Sequence, residues 1–257
     1  MIKKLAFLLL FLPASAHALT VKHYLTAIIG PFNASKTEFE YTLQPDSYAV
    51  ISTVKTSGLF NTLYPFEAKY ETSGRIRNNK IETISYKHSS KSRFTKRSKE
   101  LVYNDKGEPI YSLSVKNKEE KKRIIDTPPD AVDSNDLQTV IALFAKQYNT
   151  KRSCDGIMRV FDGKRRFNVI FKNEGAELIK ANDHSPFSGT AIKCSMYIDK
   201  LASTGNDLLW KMTSERPIYF WILEDSTTQA PFIAHVHIGD TPLGEMNVYA
   251  SKIRVKK

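Results

Sequence analysis

The sequence is short of the features that mark most enzymes and metal proteins. Only two of its 257 residues are cysteine, and Cys154 and Cys194 do not form a CxxC redox or zinc motif. No HExxH run, GxSxG nucleophile elbow or glycine-rich phosphate loop occurs, so zincin, serine-hydrolase and nucleotide-triphosphatase signatures are absent. Asp126, Asp130, Asp133 and Asp136 cluster, but without the DxDxDG order of a calcium loop. Beyond residue 18 no apolar run reaches the length of about 20 residues that a membrane-crossing helix needs. There is no internal repeat, low-complexity linker or shift in composition. A single domain over 19–257 is therefore expected, with no enzyme activity, no cofactor and no bound metal.

What is present begins with a leader. Lys3 and Lys4 make a basic head, Leu5 to Leu12 is uninterrupted and apolar, Pro13 breaks it, and Ala16-His17-Ala18 is a small-x-small cleavage pattern. Residues 1–18 read as a signal peptide cut after Ala18, with export to a periplasmic compartment. A retained anchor is the alternative, and the apolar run is too short for it. The residue after the cut is Leu19 and not cysteine, which argues against a lipid anchor. In an oxidising compartment an even cysteine pair most simply forms a disulfide, worth roughly 4 kcal/mol in chain entropy. A redox or metal-binding pair is the alternative, and it lacks a neighbouring histidine.

The formal net charge is +11, two units of which leave with Lys3 and Lys4. Such an excess favours polyanionic contacts. For an exported chain these are lipid head groups, lipopolysaccharide or other anionic envelope polymers, and not nucleic acid. An envelope protein partner is a further candidate.

Strand patterns dominate the mature chain. Alternation or β-rich composition marks 36–43, 47–56, 66–73, 80–88, 93–103 and 109–115. Turns are expected at Pro45-Asp46, Ser73-Gly74, Asn78-Asn79 and Asp105-Lys106-Gly107. Residues Gly58 to Pro65 suggest one apolar helical turn or a tight connector. A covering helix is expected near 133–147, with Asp133 as its cap and Leu137, Val140, Ile141 and Phe144 on one apolar face. Asp162-Gly163 predicts a two-residue type I′ turn between 157–161 and 164–171. Further strands are expected at 191–199, 217–223, 231–238 and 245–255, with Pro231 at a strand start or an edge. The spacing is that of an antiparallel meander.

Three groups of side chains are candidates for function. His235 and His237 share one face of a strand and could meet a metal, but no third ligand is marked. Residues 87–99 carry six lysines and arginines and no acid, and Lys164-Arg165-Arg166 adds a second basic group. These are either anion contacts or a solvated strand face. Aromatic residues are frequent, and Tyr219 to Leu223 is too apolar for a strand with one wet face. Both its faces are covered, or one lines a cavity.

Several segments in order resemble one exported bacterial family. They are Gly58-Leu-Phe-Asn-Thr-Leu-Tyr64, Val160-Phe-Asp-Gly-Lys-Arg-Arg-Phe167, Phe187-Ser-Gly-Thr-Ala-Ile-Lys-Cys194, and Phe220-Trp-Ile-Leu with Ala230-Pro-Phe232. Together they are similar to the family called domain of unknown function 3108, over about residues 22–255. The family's glycine-rich first hairpin is here Gly30-Pro-Phe-Asn-Ala34. The resemblance implies a mainly β fold, a single antiparallel, strongly curved sheet or incomplete β-barrel, and it supports pairing Cys154 with Cys194. It implies no reaction.

The resulting expectation is a non-enzymatic envelope protein whose curved sheet binds an apolar or amphipathic anionic ligand. Phe60, Tyr64, Phe66 and Trp221 are the apolar contacts. Lys91, Arg93, Lys96, Arg97 and Arg165 are the charged ones. The alternative is a structural or protein-interaction component with no small ligand.

Overall fold

The computed structural model describes residues 18–77, 80–131, 134–202 and 213–256. Almost all of the leader, Asn78-Asn79 and the expected cap Asp133 lie outside them. The first half of the chain forms β1 (Leu19–Ile29), β2 (Phe32–Leu43), β3 (Ser47–Thr56), the short helix α1 (Gly58–Leu63), β4 (Phe66–Arg77), β5 (Lys80–Ser92), β6 (Lys96–Tyr103), β7 (Pro109–Lys116) and β8 (Glu119–Ile124). Helix α2 (Leu137–Lys151) follows. The second half is β9 (Gly156–Phe161), β10 (Arg166–Ile179), β11 (Gly189–Ala202), β12 (Ile218–Glu224), β13 (Pro231–Thr241) and β14 (Gly244–Lys256).

All fourteen strands lie in one antiparallel sheet. It runs from β8 in sequence back to β1, crosses to β14, and continues down to β9. Pairing of the first and last strands, with Val21 opposite both Val255 and Tyr41, joins the two halves. Strands β8 and β9 are the two edges, so the sheet is barrel-like but not closed.

Helix α2 fills the concavity. Its Val140, Phe144 and Tyr148 pack with Phe171, Phe220 and Ile222 of the second half, while Ala142 and Ala145 meet Val21, Tyr41, Val50 and Phe232. Phe144 lies 4.6 Å from Phe171 and 5.5 Å from Phe220, centroid to centroid. The helix therefore has two buried faces where one was expected, because the sheet wraps around it. Its end is fastened by the disulfide between Cys154 and Cys194 of β11.

The open seam is bridged by side chains. Phe161 packs with Leu101, Tyr103 and Ile125. Lys99 Nζ donates to the Asp162 carbonyl at 3.4 Å, and Arg123 donates to the Gly163 carbonyl.

Three local expectations are corrected. The β9–β10 connection is a four-residue turn, with Phe161 opposite Arg166. The Asp162 carboxylate accepts from the Lys164 and Arg165 amides at 3.0 and 2.8 Å, which extends the loop beyond a two-residue turn. Ser73-Gly74 is not a turn but lies inside β4, opposite a bulge at Ile84 of β5. Gly74 is required there because a Cβ would lie 2.2 Å from the Glu82 carbonyl oxygen and 2.3 Å from the Tyr48 ring. Helix α2 starts at Leu137, capped by Asp136 through the Gln138 and Thr139 amides at 2.9 and 3.2 Å.

Candidate functional site

The most polar part of the interior surrounds Asp136. Its fully buried carboxylate accepts from Thr83 at 3.0 Å and from the Thr139 hydroxyl. Tyr48 is 2.7 Å from Thr139 Oγ1, and Thr72 donates to the Gln138 side-chain oxygen at 2.8 Å. Burial raises the Asp136 carboxyl above the usual carboxylate range, although these hydrogen bonds pull the other way. Every partner is a hydroxyl, an amide or a phenol, and none is a base in position to move a proton. The network anchors the helix to β3, β4 and β5.

Helix α2 takes up much of the space inside the sheet. Beside α2 a small void is lined by His23, Phe39, Tyr41, Ile141, Phe232 and Ile233. His23 is buried there, and its Nε2 accepts from the Ile233 amide at 3.3 Å. Burial lowers its pKa to about 4. Part of the concavity is thus occupied by the protein's own helix.

Trp221 does not join the other candidate contacts. It is buried on β12, stacked on His235 at 4.5 Å, which stacks on Tyr249 at 4.4 Å. Lys193 lies over its ring at 5.2 Å. Both faces of the 219–223 run are covered: Phe220 and Ile222 meet the α2 cluster, and Trp221 and Leu223 join the other core. His235 and His237 share a face, as their spacing indicates, and Asn247 Oδ1 lies 2.9 and 3.2 Å from their rings. Among the described residues no three His, Cys, Asp or Glu side chains gather as metal ligands.

Six of the sequence candidates do converge, at the end of the sheet that carries α1. Gly58 opens this helix with φ +53°, and none of its side chains is buried. Leu59 and Leu63, at i and i+4, are 50% and 52% exposed, and Tyr64 is 73% exposed. Phe66 opens β4 opposite Ser92, and Glu67 stands opposite Lys91, which faces Lys96. The β5–β6 turn is tied down beside them: Arg93 donates to the Thr62 carbonyl at 3.0 Å. Asn117 holds the Lys96 amide at 2.8 Å and the Phe94 carbonyl at 3.4 Å. Phe94, at the tip, is 82% exposed. An open groove of about 440 Å³ runs along this end, lined by Lys69, Lys91, Lys96, Arg97 and Lys118 against the single acid Glu67, which pairs with Lys55 at 2.9 Å.

Phe60, Tyr64, Phe66, Lys91, Arg93 and Lys96 thus form one apolar and cationic rim. Arg97 turns to the inner face, in line with Lys99 and Leu101. Arg165 stands at the β9–β10 turn, bonded to Asp162 at 2.6 Å. Sequence reasoning passed over Leu59, Leu63 and Phe94. The available signal was a pair of leucines four apart on a helix too short to bury them.

These features define an open, barrel-like antiparallel β protein with a helix-filled interior and one exposed apolar rim. The chain belongs to the family described as "Protein of unknown function (DUF3108)", whose model matches residues 21–242. Among solved structures it is similar to a β-barrel-like protein of domain of unknown function DUF1849 from Brucella abortus, at 7% identity and a TM-score of 0.49, covering 95% of this chain and 100% of that one. No curated protein matches the chain.

Proposed function

We propose that the protein is a non-enzymatic component of the cell envelope, exported to the periplasm, which engages an anionic amphipathic, lipid-like ligand at the α1 rim. The observation that carries this reading is the juxtaposition of Leu59, Leu63, Tyr64 and Phe94, each at least half exposed, with Lys91, Arg93 and Lys96. Burying the apolar tips in acyl chains gains roughly 25 cal/mol per Å². Each cation near an anionic surface adds about 1 kcal/mol. The filled interior supports contact at the rim in place of enclosure in the sheet.

The test is co-sedimentation of the mature protein with vesicles of phosphatidylglycerol or of phosphatidylcholine at low salt. Binding to the anionic vesicles is expected, and the Leu63→Ser/Phe94→Ser variant should bind at least tenfold less. Equal indifference to both vesicles would overturn the reading. The helix packed into the concavity favours one second reading, a protein partner seated on the same rim, which cross-linking in the envelope would recover as one stoichiometric product.

A further inference from the structure

Inside the sheet, strand pairing lines up three rows of side chains across β5–β8. Ser90, Arg97 and Lys116 form the first. His88, Lys99, Ser114 and Lys121 form the second. Leu101, Ser112 and Arg123 form the third. The rows face the tip of the β9–β10 hairpin, to which Lys99 and Arg123 each donate one hydrogen bond. The carboxylates at this mouth are Asp162, already bonded to Arg165, and Glu119, opposite Lys116.

Cations therefore outnumber acids on this face, where Lys99 is largely buried and Arg97, Lys121 and Arg123 are exposed. Burial lowers the pKa of Lys99, opposed by Asp162 and reinforced by Arg165, Arg123 and Lys164. Burial followed by Lys99 and Arg97 does the same to His88. Hairpin clasping accounts for one donor each of Lys99 and Arg123. It does not account for Arg97 and Lys121, which make no bond to the hairpin yet face the same space. An oxyanion there would turn mutual repulsion into attraction. Arginine forks, ammonium groups and the Ser90 and Ser114 hydroxyls match the several oxygens of a phosphate group.

We propose that this mouth is a binding site for a phosphate-type oxyanion, with Arg97, Lys99, Lys121 and Arg123 as its ligands. Lys99, Lys121 and Arg123 point to the opposite face of the sheet from Lys91 and Lys96, while Arg97 also borders the rim groove. Free phosphates and the head groups of phosphate monoester lipids share the required chemistry.

The experiment is titration calorimetry of the mature, oxidised protein with inorganic pyrophosphate, at ionic strength held constant with sodium chloride. A second arm uses a short-chain, water-soluble phosphatidic acid. Saturable binding of either ligand supports the site: pyrophosphate alone marks a free phosphate ligand, and phosphatidic acid alone marks a lipid head group. The Arg97→Gln/Lys121→Gln variant should bind about tenfold more weakly or worse. Both residues are exposed, so its unfolding midpoint should match the parent. Leu63→Ser/Phe94→Ser should leave this binding unchanged, which separates the site from the rim reading. If neither ligand saturates, or if the Arg97/Lys121 variant binds as tightly as the parent, the proposal fails.

Discussion

The Asp136 carboxylate accepts a hydrogen bond from the Thr83 hydroxyl at 3.0 Å, joining the first turn of α2 to β5 inside the sheet. One side chain thus caps the helix and fixes its depth in the concavity. The disulfide from Cys154 to Cys194 fastens the other end. The helix is held at both termini, and the sheet is packed around it.

Replacing Asp136 by alanine should cost about 3 kcal/mol, because it removes a cap and strands several buried donors. Asp136→Asn keeps an acceptor for the two amides and should cost clearly less. The folded-state pKa of Asp136 is raised, so its ionisation opposes folding. Its contribution is fullest below the unfolded carboxyl value near 3.8 and declines as pH rises through the higher folded value. Urea unfolding across acidic pH should show this decline in the parent and not in Asp136→Asn.

His23 gives the opposite slope. Its pKa falls from 6.5 to about 4 on folding, so its contribution is present above 6.5 and lost as pH drops towards 4. The full loss is roughly 3 kcal/mol. Protonating Nε2 also breaks the bond from the Ile233 amide. His23→Phe should remove this part of the acid sensitivity, read as a flatter stability curve between pH 7 and 4.

Cutting the disulfide with the Cys154→Ser/Cys194→Ser pair frees a loop of sequence separation 40. A loss of about 4 kcal/mol is expected from chain entropy. Thermal unfolding of oxidised and reduced parent protein should show the same difference, and the double variant should no longer respond to reductant.

Gly74→Ala is expected to cost about 2 kcal/mol or more, since the added methyl meets backbone at Glu82 and the ring of Tyr48. The same change at Gly175, where a Cβ meets nothing within 4 Å, tests backbone strain alone at φ +100°. Chemical unfolding of the two variants should separate steric collision from strain.

Vesicle binding through the rim should weaken steeply as salt rises from 50 to 500 mM, because the Debye length shrinks from about 14 to about 4 Å. The residual binding at high salt should disappear in Leu63→Ser/Phe94→Ser, which lacks the apolar contribution. Salt-independent binding would contradict the role given to Lys91, Arg93 and Lys96.

Much of the strand content was legible. Residues 47–56 alternate and form β3 with those bounds, and Pro231 does open β13. The single sheet, its antiparallel order and its failure to close agree with the curved sheet or incomplete barrel implied by the family resemblance. Strand β1 was not recognised beside the cleavage site. Strand β8, Glu-Glu-Lys-Lys-Arg-Ile, has no apolar alternation because all six of its residues are exposed. An edge strand with no core face leaves no periodic trace.

The candidate site was legible in part. Tyr64, Phe66, Lys91, Arg93 and Lys96 come together because β4 and β5 are adjacent in sequence and pair antiparallel, so local order predicts their meeting. Trp221 lies 125 residues beyond Lys96, and its burial depends on β11, β13 and β14, which no local pattern positions.

The sequence by itself determined much of the strand periodicity, turns such as Pro45-Asp46 and Asp105-Lys106-Gly107, and the even pair of cysteines, all consequences of backbone preference and near-neighbour spacing. Tertiary structure decided that α2 would occupy the concavity, that Asp136 would be buried, and that one basic run would divide between an outer rim and an inner mouth. The reason is geometric. Alternation along a strand says that neighbouring side chains point opposite ways, but only the direction in which the whole sheet curls decides which of those ways is inside.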